Sequence, residues 1–274
     1  MQLRKYLAAP FAALLLTGAS LANAAAPIDV RWNPSAVPGL STAGAFTFDN
    51  ILLNSYAAID ITGGGTAFSE QGFVSMAAFS DNNVFTSIPT AGFPGGATPY
   101  SLYISFTAAG TQTAGIPSNG IFTSMNYSLL AAPGATTFTA NASGIFAPTG
   151  SPTITLATGT LNGPGSTSLT GTPPDNLLPA ANVLATFVPN AAFAGFFVNP
   201  NASQILNLSA AFTNTGSVIT NIPLGGTNFR LSLNGGGGNA TFAPAIPEPD
   251  TYGMLVAGLG LFAFIARRRG RKVA

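Results

Sequence analysis

Four acids, Asp49, Asp60, Glu70 and Asp81, are the residues of this 274-residue sequence best placed for acid–base chemistry. Two carboxylates facing each other across a cleft would hydrolyse glycosidic bonds, provided they stand ~5–10 Å apart. Separation along the chain does not set that distance, and the plainer reading is a set of solvated surface acids. Asp81, Asn82 and Asn83 cluster side-chain oxygens of the kind calcium takes. Asp and Asn also favour tight turns, and a turn is the expectation here. The chain has no His and no Cys, which excludes Cys/His zinc sites, Ser-His-Asp triads and thiolate nucleophiles. The sequence therefore predicts no catalytic residue, no metal ligand and no cofactor.

A different chemistry is written at the ends. Pro247-Glu248-Pro249 precedes fifteen uncharged residues, Tyr252 to Ala266, and then Arg267, Arg268, Arg269, Arg271 and Lys272. Five of the nine basic residues thus fall in the last eight positions. Fifteen helical residues span roughly 22 Å, short of a ~30 Å hydrocarbon core, a gap that flanking residues and local thinning can cover. Cations beside an apolar helix stay in the cytoplasm, so the cluster reads as a stop-transfer signal. Proline keeps the triplet extended and out of the helix, where a membrane-embedded processing enzyme can reach it. At the other end, Arg4 and Lys5 precede an apolar run from Leu7 to Leu16 and a small-x-small site, Ala22-Asn23-Ala24. That order predicts a signal peptide over residues 1–24, cut after Ala24. An uncleaved N-terminal anchor is the competing reading, against which the run is short.

The tail resembles the PEP-CTERM sorting signal of Gram-negative bacteria, over roughly residues 246–272. The resemblance implies recognition of Pro247, Glu248 and Pro249 by an integral-membrane exosortase, which supplies the catalysis. It also implies a transient inner-membrane stage through a short C-terminal transmembrane helix, then removal of the tail and delivery to the cell surface or extracellular matrix. A plain single-pass anchor is the alternative.

Between the ends, residues 25–245 read as one secreted β-rich domain. Tyr100, Leu102, Ile104 and Phe106 alternate with polar neighbours, as do Met125, Tyr127 and Leu129. The same holds for Leu206, Leu208, Ala210 and Phe212, and for Phe229, Leu231 and Leu233. Period-two alternation predicts strands with one buried face. Breakers at 63–65, 94–96, 133–134, 173–174, 225–226 and 235–238 predict turns. The expected fold is all-β, an antiparallel β-sandwich-like body, with 163–179 as a possible boundary between sub-lobes. Trp32, the sole Trp, is expected to plug the core beneath a first strand rather than to stack on sugar.

Only 6% of residues are charged, against roughly 25% in average soluble proteins. Within the body, residues 25–245, lie Arg31 and Arg230 against six acids, Asp29, Asp49, Asp60, Glu70, Asp81 and Asp175. A mildly acidic body argues against nucleic-acid binding. Outward faces of Ser, Thr, Asn and Ala suit contact with hydrated polysaccharide or self-association, since edge charges that normally block strand pairing are scarce. Three segments of the body resemble flocculation-associated PEP-CTERM proteins: "AFTFDNILLNSYAAIDITGGGTAFSEQGFVSMAAF", "YSLYISFTAAGTQ" and "FAGFFVNPNASQILNLSAAFTNT". That resemblance implies a role with exopolysaccharide in floc or biofilm formation. A lectin-like glycan-binding module and a secreted polysaccharide hydrolase are the competing functions.

Overall fold

A computed structural model describes residues 28–87, 99–150, 153–172, 176–200, 206–213 and 218–244. The signal peptide with Ala22 and Ala24, and the tail with Pro247, Glu248, Pro249, Arg267, Arg268, Arg269, Arg271 and Lys272, lie outside them. Residues 26–244 form one compact unit.

The strands are β1 (Val30–Trp32), β2 (Phe46–Phe48), β3 (Asn50–Thr62), β4 (Ala67–Asp81), β5 (Val84–Ser87), β6 (Tyr100–Gln112), β7 (Ser118–Pro133) and β8 (Thr137–Ala140). There follow β9 (Phe146–Thr149), β10 (Ile154–Thr160), β11 (Gly165–Thr172), β12 (Asn176–Pro189), β13 (Phe197–Asn199), β14 (Leu206–Thr213), β15 (Val218–Gly225) and β16 (Asn228–Pro244). All four alternating runs of the sequence fall in strands, in β6, β7, β14 and β16, with Tyr100, Leu102, Ile104, Tyr127, Leu129, Leu208, Leu231 and Leu233 buried.

Eleven strands form one antiparallel sheet, and the sheet closes. Following its neighbours gives β3, β4, β6, β7, then β10 with β11, then β12, β14 and β16, which returns to β3. β10 and β11 run in one direction between β7 and β12, so together they make a single stave interrupted at 161–164. Each stave neighbours the next in sequence. The result, among the described residues, is an eight-staved up-and-down barrel, a size whose interior is just filled by side chains or holds one small ligand. The all-β antiparallel expectation is met, and closure removes most of the edges that a charge-poor sandwich would leave open. Of the stretch 163–179, residues 165–172 and 176–179 belong to β11 and β12 of the wall, and 173–175 lie outside the described residues.

Inside the barrel sit Leu53, Ile59, Val74, Ile104, Leu129, Leu169, Val183 and Leu231, all buried. Outside, Ser69, Gln71, Thr107, Asn126 and Ser209 are exposed. Leu52, Ile121, Leu178 and Val188 are exposed as well, so the outer face is mixed, while the interior is apolar where a membrane barrel's is polar. No helix among the described residues is long and apolar enough to cross a membrane.

One end of the barrel is plugged. β1 pairs with β2 and β13 in a small separate sheet. Trp32, 1% exposed, meets Phe48 at 4.7 Å, Phe196 at 5.2 Å and Phe79 at 5.8 Å between ring centroids. Phe187 and Phe242, near the ends of β12 and β16, complete the cluster 4.9 Å apart. The plug expected of Trp32 is what the chain builds. These edge-to-face rings bury much apolar area in a protein whose Ala-rich interior otherwise buries little per residue.

Glycines 235–238, read above as a turn, are instead part of β16, where Gly236, Gly237 and Gly238 face Ser55, Asn54 and Leu53 of β3. Gly235, at φ +84, makes a bulge. At Gly238 a Cβ would stand 2.6 Å from the Phe212 ring and 2.8 Å from the Ala211 oxygen. Close approach thus requires glycine at Gly238 and the positive φ favours it at Gly235, strand uses that composition does not separate from a turn.

Candidate functional site

The four acids do not converge. Glu70 faces Ile59 in the β3–β4 register, and alternation turns Asp60, the next residue, to the opposite face of the wall. There Asp60 accepts from Arg230, Oδ1 from Nε at 2.5 Å and Oδ2 from Nη2 at 2.7 Å. Asp49 and Asp81 lie at the far end of the same hairpin, where Asn50 faces Ser80. That end is roughly 30 Å from Ile59 at ~3.3 Å per residue. Asp49 accepts from the Asn82 backbone N–H at 3.0 Å, and Asp81 from the Asn82 side chain at 2.9 Å. Asn82 and Asn83 have φ of +50 and +65, and Asp81 faces Val84. This is a two-residue hairpin of the primed type, as the turn reading expects. Among the described residues no three acids group as metal ligands.

What the fold does bring together is a set of aromatic and amide side chains on the outer wall. Asn54 and Tyr56 on β3, Ser75 on β4, Ser101 and Tyr103 on β6 and Asn234 on β16 face outward by alternation. The β8–β9 hairpin lies over this face. Its Phe138 ring stacks on Tyr56 at 4.8 Å and on Phe73 at 5.3 Å, and meets Tyr103 edge-on at 5.3 Å. Phe146 adds an edge contact with Tyr56 at 5.9 Å.

The hairpin is pinned at its tip. Arg230 donates from Nη1 to the Ser143 carbonyl at 2.9 Å, and the Ser232 hydroxyl donates to the Gly144 carbonyl at 2.9 Å. Gly144, at φ +72, fits because a Cβ there would lie 2.5 Å from Ile222. At its base, the Ser101 hydroxyl donates to the Gly134 carbonyl and accepts from the Thr136 backbone N–H, both at 2.9 Å.

Between hairpin and wall runs a groove of about 480 Å³ lined by Asn54, Tyr56, Ser75, Ser101, Thr137 and Asn234 among others. That volume is in the range of small-molecule sites, roughly 300–1,000 Å³. The Tyr103 hydroxyl and Thr136 Oγ1, both on its lining, are buried without a hydrogen-bond partner among the described residues. Buried polar atoms in native proteins are nearly always partnered, so the groove holds unspent hydrogen-bonding capacity. Burial also pushes the Tyr103 phenol above its ordinary value, keeping the donor proton on. Aromatic faces beside amides and hydroxyls are the chemistry that takes a hydrated, uncharged ligand. The sequence carried one signal for this face: Tyr103 falls among the serines on the polar side of its strand. Phe138 carried none, since its role depends on where the hairpin folds back.

A second space lies inside the barrel, with Glu70 on its lining. The Glu70 carboxyl is enclosed by protein, and desolvation alone pushes its pKa from 4.5 up to about 7. Glu70 as a whole residue is half-buried and borders this space.

Comparison with known proteins bears on the tail alone. The family model described as PEP-CTERM protein-sorting motif matches residues 245–269, so the chain carries the sorting motif of an exosortase substrate. No curated protein and no solved structure matches the chain.

Proposed function

We propose that this exported exosortase substrate is a non-enzymatic binding protein of the cell surface or extracellular matrix. In this reading it holds a stretch of exopolysaccharide in the groove beneath β8–β9. The sorting motif at residues 245–269 supports the export route. The observation that carries the binding role is the groove, where Tyr56, Asn54 and Asn234 stand beside the unpartnered hydroxyls of Tyr103 and Thr136. Dispersed acids favour binding over hydrolysis, because no second carboxylate faces Glu70 across a cleft. The signal peptide would open the route, the inner membrane would hold the chain briefly, and a Gram-negative envelope would receive it. Retention with exopolysaccharide would then contribute to floc or biofilm cohesion.

Co-sedimentation of the full-length chain with extracellular polysaccharide tests this, with an Asn54→Ala/Asn234→Ala variant beside it. A several-fold loss of retention in the variant is expected. Equal retention would remove the groove from the account, and sharp selectivity for one free sugar would favour a lectin instead.

A further inference from the structure

The interior space is lined by all eight staves, with Leu53, Ile59, Phe106, Phe122 and Leu208 among its walls. Its volume is about 80 Å³. It exists because alanine occupies inward positions where a barrel of this size would usually place Leu or Ile: Ala108, Ala181, Ala185, Ala210 and Ala240. An apolar void of this kind stays dry or takes an apolar guest.

Glu70 breaks that pattern. Among the lining residues it is the only acid, and no base accompanies it. Among the described residues its carboxyl has no ion pair or hydrogen bond, and burial is the cause of its raised pKa. Ser55 and Thr167 place hydroxyls on the same lining. The other titratable group facing the space is the Tyr127 phenol, whose proton is committed to the Thr186 carbonyl at 2.7 Å. A carboxyl enclosed without a partner destabilises the protein that carries it. A ligand that brings the missing cation would remove that penalty, and its aliphatic part would fill the space left by the alanines.

We infer that the barrel interior is a binding site for a slender aliphatic primary amine, with Glu70 as counter-ion to the ammonium and the alanine-lined space as the seat of the alkyl chain. The volume sets the size, since a cavity of ~150 Å³ takes benzene and this one takes a chain of a few carbons. The site is independent of the outer groove, which lies on the other face of the wall.

The test uses n-butylammonium with the full-length chain at pH 8, where Glu70 is ionised, read by calorimetric titration. n-Butanol and butyrate serve as the neutral and anionic counterparts. Butylammonium is expected to bind at least tenfold more tightly than butanol, with butyrate not binding. Glu70→Gln should abolish the preference for the amine, and Ala210→Leu, which fills the space and keeps the carboxyl, should abolish binding of both. Carbon-13 labelling of the glutamates gives a readout without a variant: bound butylammonium should move the Glu70 titration to lower pH. Equal affinity for butanol and butylammonium, an amine preference that survives Glu70→Gln, an unmoved Glu70 titration or no binding at all would each overturn the assignment.

Discussion

Glu70 and Asp60 flank the same point of the barrel wall from opposite sides: Glu70 faces Ile59 across the β3–β4 ladder, and Asp60 is the next residue of β3. The outer carboxylate is gripped by Arg230 at 2.5 and 2.7 Å. The inner one borders a space lined by apolar side chains and by the hydroxyls of Ser55, Thr167 and Tyr127. Two neighbouring acids thus have different chemistry because one strand period separates water and a counter-ion from oil.

The inner carboxyl makes stability depend on pH in an unusual direction. Between 4.5 and about 7 the folded chain keeps a Glu70 proton that the unfolded chain has lost. Stability is therefore greatest below that window, falls as pH rises through it, and levels off above about 7. The shift corresponds to a loss of about 3 kcal/mol. Urea midpoints measured from pH 4 to 8 should show the decline, and Glu70→Gln should flatten it and leave the variant the more stable protein at pH 8. A wild-type midpoint that rises through the window would contradict the burial of this group.

The outer pair should matter through the hairpin more than through its own energy. The pair is partly buried, with side chains 11% and 25% exposed, and a single pair still reached by solvent contributes about 1 kcal/mol. Yet the same guanidinium holds the Ser143 carbonyl and so the hairpin tip. Arg230→Gln is expected to lower global stability by no more than about 1 kcal/mol while making the β8–β9 loop the first site of limited proteolysis. Unchanged protection of that loop would mean that Ser232 and the aromatic stack hold it alone.

Gly159 sits where the wall is tightest. A Cβ there would lie 2.0 Å from the Thr186 oxygen and 2.3 Å from the Tyr127 ring, and Tyr127 donates to that same oxygen. Gly159→Ala should therefore displace the Tyr127 ring and cost about 1–3 kcal/mol, the scale of overpacking. Gly44→Ala, with nothing within 4 Å of its Cβ, is the control and should be close to neutral. Chemical denaturation of the two variants side by side checks the contrast.

The alternation at Tyr100–Phe106 and Leu206–Phe212 made strands legible in the sequence, because side-chain period is a local property. Closure was not legible. It rests on the pairing of Val183 with Ala210 and of Leu231 with Ile59, contacts between residues far apart along the chain. The same applies to the groove: Tyr103 announced itself on a polar face, whereas Phe138 acquires its meaning only when Arg230 fastens the hairpin across the barrel. In the sequence Glu70 reads, with Asp49, Asp60 and Asp81, as a solvated surface acid in preference to one of a carboxylate pair. Its inward position follows from the β3–β4 register, which also separates it from Asp60 and Asp81. Gly235–Gly238 reads as a turn for a similar reason, since glycine marks close backbone approach as readily as reversal.

The sorting signal can be divided into parts with separate consequences. In the proposed export route, Pro247 and Pro249 would keep the triplet out of the apolar segment that follows, and the cluster from Arg267 to Lys272 would hold that segment at the cytoplasmic face. Replacing Pro247, Glu248 and Pro249 by alanine should spare membrane arrest and stop processing, so the chain should accumulate in the membrane fraction. Its mass should still include Arg267, Arg268, Arg269, Arg271 and Lys272. Replacing the five basic residues by serine should instead weaken arrest and release unprocessed chain to the periplasm. Mass spectrometry of the C-terminus in each fraction separates the two. Wild-type protein recovered from the extracellular material should lack the arginines; if it retains them, the motif at 245–269 acts as an anchor and not as a site of processing.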